Sequence, residues 1–289
     1  MSAPATPAPP PSEVSTIGKP WALKSLPPFP AVALELMSLL DDPEVSMKQV
    51  VNLLRIDPAL SAEILRVSNS ALYGLKNRVD NVSHAVVVLG SDTVKRIALT
   101  AALGRFSRRF MKNKSLKVCW DHSVAGGFIG EELAKLLDGP VDRAYTAGLL
   151  HDVGRLAILA CYPDEYGNML EVARENDFDE LECERQLFDI DHCAAGDWLA
   201  RSWNLPEDIT AAIANHHDWT PEDSSVVSIV AAANKLADVL GFNVLPMPNE
   251  STIEDALEGL PFPDPDKACE RFENFEDEIR QAISSLSPA

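Results

Sequence analysis

No C-x-x-C pair occurs among the five cysteines (Cys119, Cys161, Cys183, Cys193 and Cys269), which are odd in number and widely spaced. That argues against both a disulfide framework and a zinc ribbon, and it suits a reducing cytoplasm. Long apolar runs are also missing. The longest uncharged apolar-rich stretch towards the C-terminus, Ser224 to Asn234, falls short of the ~20 residues that span a bilayer. The N-terminus has neither a basic segment nor an apolar one after it, so no signal peptide and no membrane association are expected. Strand-like alternation of useful length is absent, as is any internal repeat. Basic residues are few: 25 Lys and Arg stand against 44 Asp and Glu, a net charge of -19. A surface that acidic repels phosphate backbones and anionic lipid, so general nucleic-acid binding is not expected.

The charge is unevenly spread. From Thr93 to Lys117 there are eight basic residues and no acidic one. They are Lys95, Arg96, Arg105, Arg108, Arg109, Lys112, Lys114 and Lys117. From Glu250 onward eleven acidic residues meet three basic ones. The basic stretch reads either as a docking face for an acidic partner or phosphate, or as a solvated helix face that pairs with the acidic tail.

Residues 1–20 are rich in Pro, Ala, Ser and Thr and read as a disordered tail. Beyond Trp21 the periodicity is helical, which makes the fold class all-α. Val32, Leu36, Leu39 and Leu40 share a face before the break at Asp41-Asp42-Pro43. Ser46 and Gln49 form a capping-box pattern, and Asp57-Pro58 pairs a cap with Pro at the first helical position. Ser83 to Gly90 is apolar enough for a strand, but a cap-like Ser83 and a terminal Gly90 favour a short helix. Further helices are expected at about 92–110, 117–137, 141–152, 155–161, 164–176, 180–203, 206–218 and 224–241. A Pro-rich linker, Leu245 to Pro248, leads to an acidic amphipathic helix carrying Phe272, Phe275, Ile279 and Ile283.

Five of the six histidines fall in a suggestive order: His122, His151 (beside Asp152), His192, and the pair His216-His217. Imidazoles with a carboxylate suit Fe, Mn, Zn, Ni or Co, without selecting sharply among them. Each histidine taken alone is explained as a hydrogen-bonded core or surface residue. It is the ordered set that points to a metal.

Leu26 to Pro30, Asp57 to Leu60, Asn69 to Ala71 and Gly148 to Gly154, taken with the ordered histidines, resemble the motifs of the HDOD (HD-related output domain) family of bacterial signalling proteins. Leu26-Pro27-Pro28-Phe29-Pro30 resembles its opening Leu-Pro-x-Leu-Pro, and Asp57-Pro58-Ala59-Leu60 its Asp-Pro-x-Leu. Asn69-Ser70-Ala71, Ala85 to Gly90, Gly148 to Gly154, His192 with Gly196, and Trp203 with Leu205-Pro206 match further elements. The resemblance covers about 22–240. It implies a domain over 21–241, with an N-terminal helical part (about 21–115) and an HD-like part (116–241), followed by a linker and acidic helix over 242–289.

The wider HD superfamily includes metal-dependent phosphohydrolases and phosphodiesterases of cyclic dinucleotides. By resemblance, His122, His151, Asp152, His192, His216 and His217 are metal ligands. Asn234 stands where catalytic relatives carry a last ligating Asp, and no Gly-Tyr-Pro element follows His217. Asp152 and Arg155 are the groups that would act in an enzyme, Arg155 as a phosphate contact. These departures imply a regulatory module that works through signalling proteins. The alternative is a phosphohydrolase acting on a nucleotide or cyclic dinucleotide.

Overall fold

The structure, a computed structural model, describes residues 18–26, 28–38, 46–107, 114–218, 220–245 and 251–286. The expectations for residues 1–17, Leu39, Leu40, Asp41 to Pro43, Arg108, Arg109, Lys112 and Pro246 to Pro248 lie outside them. Among the described residues every regular element is a helix, as the periodicity predicts.

A 3-10 turn (Trp21–Leu23) precedes α1 (Ala31–Ser38), α2 (Met47–Arg55) and α3 (Pro58–Ser68). The expected capping box opens α2: Gln49 N–H donates to Ser46 Oγ, and Ser46 N–H donates back to Gln49 Oε1 at 2.8 Å. The Ser83–Gly90 run is a helix, α4 (Val82–Leu89), ended by Gly90 at φ 86°. Its cap is Asn81 rather than Ser83, because Asn81 Oδ1 accepts from His84 N–H at 2.9 Å. Asn69 closes α3 and exchanges hydrogen bonds with Val79 at 2.8 Å in both directions. That makes the Asn-Ser-Ala element a clamp on the following loop.

Next come α5 (Ser91–Ser107), α6 (Lys114–Leu136), α7 (Val141–Leu150), α8 (Val153–Cys161) and α9 (Pro163–Asn176). The segment 180–203, expected as one helix, is two: α10 (Glu180–Phe188) and α11 (His192–Ser202). Asp189 turns left-handed at φ 57°, and Asp191 Oδ1 then accepts from Ala194 N–H at 2.8 Å to start α11. After α12 (Glu207–Asn215) and α13 (Val226–Ala237), a π turn (Asp238–Phe242) bends at Gly241. The C-terminal segment, expected as one helix, folds as α14 (Ile253–Leu257), α15 (Pro265–Glu273) and α16 (Phe275–Leu286). Thr252 and Asp264 each start a helix by capping it, so Phe272 lies on α15, apart from Ile279 and Ile283 on α16.

Two close crossings set the site. Helices α6 and α7 meet at Gly126 and Gly148, where a Cβ on Gly126 would lie 2.8 Å from the Gly148 carbonyl oxygen. Helices α8 and α11 meet at Gly154, where a Cβ would strike the His192 carbonyl oxygen. Only hydrogen at those positions lets the backbones approach this closely.

The described part of the basic stretch pairs with acids near it, and its expected pairing with the C-terminal tail does not occur there. Arg96 meets Glu131 at 2.7 Å, Arg105 meets Asp57 at 2.7 Å, and Lys117 meets Asp121 at 2.6 Å. No described helix is long and apolar enough to cross a membrane.

Candidate metal centre

Five elements bring the seven expected residues into one cluster, buried except at His217, which is exposed. His122 projects from α6, His151 and Asp152 from the turn between α7 and α8, and His192 from the first position of α11. His216 and His217 follow α12, and Asn234 lies on α13. His122 Nε2 is 3.1 Å from His151 Nε2 and 3.0 Å from Asn234 Oδ1. His192 Nε2 is 3.0 Å from His217 Nε2. Asp152 turns Oδ2 towards His122 and His151, at 3.9 and 3.8 Å, and Oδ1 towards the other histidines, 3.4 Å from His192 Nε2 and 3.3 Å from His216 Nε2. Among the described residues the fully buried Oδ1 has no hydrogen-bond partner.

The protons show what the cluster suits. His122 Nδ1 donates to the Phe242 carbonyl at 2.8 Å, His151 Nδ1 to that of Gly148 at 2.6 Å, and His216 Nδ1 to that of Ile213 at 2.9 Å. A carbonyl only accepts, so in the neutral ring each proton is on Nδ1 and each Nε2 carries a lone pair. Those lone pairs converge on one another and on Asn234 Oδ1. A proton or a cation relieves the repulsion between His122 and His151, while Asn234 can instead turn its amide to donate to His122 Nε2. His192 Nδ1 donates to the Glu184 carboxylate at 2.8 Å, the arrangement that orients metal-binding imidazoles. The donor set therefore fits a divalent cation.

Electrostatics agree. Burial pushes His151 down to about 3. Burial also acts to lower His216, but the Asp152 carboxylate and the Cys193 sulfur raise it to about 9. Burial works to raise the Asp152 carboxyl, yet Arg155 and the imidazoles outweigh it and hold Asp152 well below the usual carboxylate range. Asp152 is thus favoured as the anion at the centre of the cluster.

Arg155 departs from the expectation of a phosphate contact. It is 2% exposed, donates from Nε to Asp152 Oδ2 at 2.7 Å, forms an ion pair with Glu180, and approaches His192 Nε2 at 3.2 Å. Each of its three nitrogens meets a protein partner, although the side chain also lines the cavity.

Sequence reasoning missed Glu180, Glu184 and Cys193. Glu184 is fully buried and accepts from His192 N–H at 2.6 Å and from the Tyr166 hydroxyl. Burial works to raise the Cys193 thiol, but His192 and His216 lower it to about 7. Acidic residues are abundant here, so no spacing singles out Glu180 or Glu184. Cys193 is adjacent to His192, and that adjacency was the available signal.

The cluster opens into a cavity of about 430 Å³ floored by His122, His217, Asn234 and Arg155. Asp177, Asp179, Glu180 and Asp238 line it as well. Asp238 Oδ1 lies 3.7 Å from His122 Nδ1, whose hydrogen bond goes to Phe242. Asp238 therefore faces the ring nitrogen that is already hydrogen-bonded, not the Nε2 that looks into the cluster.

An all-helical fold around a buried histidine–aspartate cluster defines an HD-related domain. The HDOD domain family matches residues 26–219, and the chain belongs to that family. An HDOD domain protein of unknown function from Geobacter sulfurreducens is 28% identical, with a TM-score of 0.75 over 90% of this chain and 93% of that one. A candidate signal transduction protein from Marinobacter aquaeolei VT8 shares the fold at 24% identity and a TM-score of 0.73, over 91% of this chain and 60% of that one. So does a candidate phosphohydrolase from Shewanella amazonensis SB2B, at 23% identity and a TM-score of 0.72, over 91% and 96%. An uncharacterized protein of Treponema pallidum (strain Nichols) is 27% identical over 217 residues, 73% of this chain and 42% of that one. This chain therefore spans less than half of that relative's length.

Proposed function

We propose that this HDOD chain is a regulatory output module of bacterial signal transduction. It acts in the cytoplasm through contacts with other signalling proteins. Residues 21–115 and 116–241 form its two parts, and 242–289 is an appended segment. His122, His151, Asp152, His192, His216, His217 and Asn234 hold a divalent ion, for which Fe, Mn, Zn, Ni and Co are all chemically suited. When bound, the ion supplies positive charge and Lewis acidity, and binding to the folded state alone adds stability.

The observation that carries this reading is the charge of the cavity. Four carboxylates line it, and its one guanidinium is already paired with Asp152 and Glu180. Apart from the bound ion itself, an anionic phosphoester approaching the histidines meets a mainly negative lining. Asn234 brings a neutral amide where a carboxylate would strengthen the ion's hold and its charge.

A second reading, a metal-dependent phosphohydrolase, draws support from the size of the cavity, which is within the range of small-molecule sites. Asp152 and Arg155 would then be the acting groups. The discriminating experiment loads the chain with Mn or Fe and assays a cyclic dinucleotide and a simple phosphodiester. Turnover no greater than that of metal alone is expected. Robust turnover that disappears in Asp152→Ala overturns the regulatory reading.

A further inference from the structure

Cys193 follows His192 directly at the start of α11, which packs against α12, and the turn after α12 carries His216 and His217. One ligand atom from each of His192, Cys193, His216 and His217 lies within 4.8 Å of the other three. Cys193 Sγ is 3.9 Å from His216 Nε2, and His192 Nε2 is 3.0 Å from His217 Nε2. A tetrahedral zinc ion with nitrogen and sulfur ligands separates its donors by about 3.3–3.6 Å, as its bond lengths require. The two separations lie on either side of that range and all four donors lie within 4.8 Å of one another, so modest side-chain shifts can close them on one ion. The other group, His122, His151 and Asp152, is built of nitrogen and oxygen and contains no sulfur. Asp152 Oδ1, from that second group, faces His192 and His216, buried and without a hydrogen-bond partner among the described residues.

We propose that Cys193 is a metal ligand, and that His192, Cys193, His216 and His217 form a thiolate-containing site for a zinc-class cation. The proposal rests on the reading that the cluster binds a divalent ion, and it adds a preference that the histidines alone do not supply. Thiolate favours zinc and cobalt over manganese and magnesium, which prefer oxygen donors. Two features support sulfur ligation at this place. The helix N-terminus favours a negative charge at Cys193. His192 is also held by Glu184 through Nδ1, which leaves Nε2 facing the site. Arg155 Nη2 is the competing cation at His192, 3.2 Å away, and ligation replaces that contact. The other three donors have no such competitor among the hydrogen bonds and ion pairs that the described residues make.

The test uses the full chain, freed of metal and titrated with cobalt as a spectroscopic stand-in for zinc. The expected result is a near-ultraviolet thiolate-to-cobalt charge-transfer band that disappears in Cys193→Ser and persists in Cys161→Ser. Zinc affinity should fall about tenfold or more in Cys193→Ser, while manganese affinity changes little. Absence of the band from the wild-type spectrum is decisive by itself, so the proposal stays open to refutation even if the variant folds poorly. Cobalt binding without the band, or a band that persists in Cys193→Ser, overturns the sulfur ligand and leaves the metal-binding reading standing. No binding of cobalt, zinc or manganese overturns both.

Discussion

Arg155 donates from Nε to Asp152 Oδ2 at 2.7 Å with both side chains almost fully buried, so the HD-type aspartate of this chain has a counter-ion built into the protein. Asp152 Oδ2 is used by that contact, and Oδ1 alone faces His192 and His216. The same guanidinium pairs with Glu180 and touches His192 Nε2. A fixed organic cation therefore already neutralises part of the carboxylate charge at the cluster.

Removing that cation has a predictable cost. Arg155→Met leaves Asp152 and Glu180 as buried charges without their partner, and breaking such a pair costs about 3–5 kcal/mol. A divalent ion supplies positive charge to the same carboxylate. Added zinc should therefore raise the Tm of Arg155→Met more than that of the wild type. Thermal denaturation with chelator and with zinc measures this. Equal zinc-induced gains in the two proteins would show that the guanidinium and the ion do not share Asp152.

Asn234 is 7% exposed, with Oδ1 3.0 Å from His122 Nε2. An amide serves that position either way, because it can donate a proton or offer an oxygen to a cation. Asn234→Asp removes the first option and adds a negative charge to the ligand set. Metal affinity should rise by at least about tenfold, equivalent to about 1.4 kcal/mol. Competition against a chromogenic chelator reads this directly. Unchanged affinity would place Asn234 outside the ligand set.

Gly154 is where α8 and α11 touch, and a methyl group there collides with the His192 carbonyl oxygen. Gly154→Ala should force α11 away, cost about 1–3 kcal/mol as overpacking does, and carry His192 out of the cluster. Loss of Tm and loss of metal affinity should appear together. At Gly139 an added Cβ makes only ordinary contacts, 3.4 Å from Ile229 Cδ1, so Gly139→Ala is the control that keeps both. A Gly154→Ala protein with native metal affinity would show that the helix approach does not position His192.

These residues also show why parts of the molecule were legible in the sequence and others were not. The all-α class follows from helical periodicity and from local caps, such as Ser46 with Gln49, that need no tertiary information. The split between α10 and α11 was hidden because Asp189 must turn left-handed, and aspartate does so only in particular surroundings. The histidines and Asp152 stood out because they are rare and ordered. Glu180 and Glu184 did not, since 44 acidic residues give no reason to choose two. The pairing of Arg155 was equally hidden: an exposed phosphate contact and a buried counter-ion look the same until the third dimension brings Glu180 beside it.

Asp57 provides a test of the N-terminal helices that is independent of the metal centre. Its Oδ1 accepts from the Ala59 and Leu60 N–H groups at 3.0 Å, capping α3, and its Oδ2 accepts from Arg105 Nη1 at 2.7 Å, tying α3 to α5. Partial burial works to raise this carboxyl, but the Leu60 amide and Arg105 outweigh it and lower it from its ordinary 3.8. A folded pKa below the unfolded one means that the stabilisation is fully present above the unfolded value. It is lost as pH falls through the folded value. Asp57→Ala should therefore cost about 1 kcal/mol near neutral pH, and the gap to wild type should narrow as pH falls below 3.8. Asp57→Asn keeps a capping oxygen, loses the ion pair, and should recover most of the neutral-pH loss. Urea denaturation of the three proteins between about pH 6 and about pH 3 decides the matter. If the gap between Asp57→Ala and wild type stays constant across that range, the carboxylate's charge contributes nothing, and α3 and α5 are joined by packing alone.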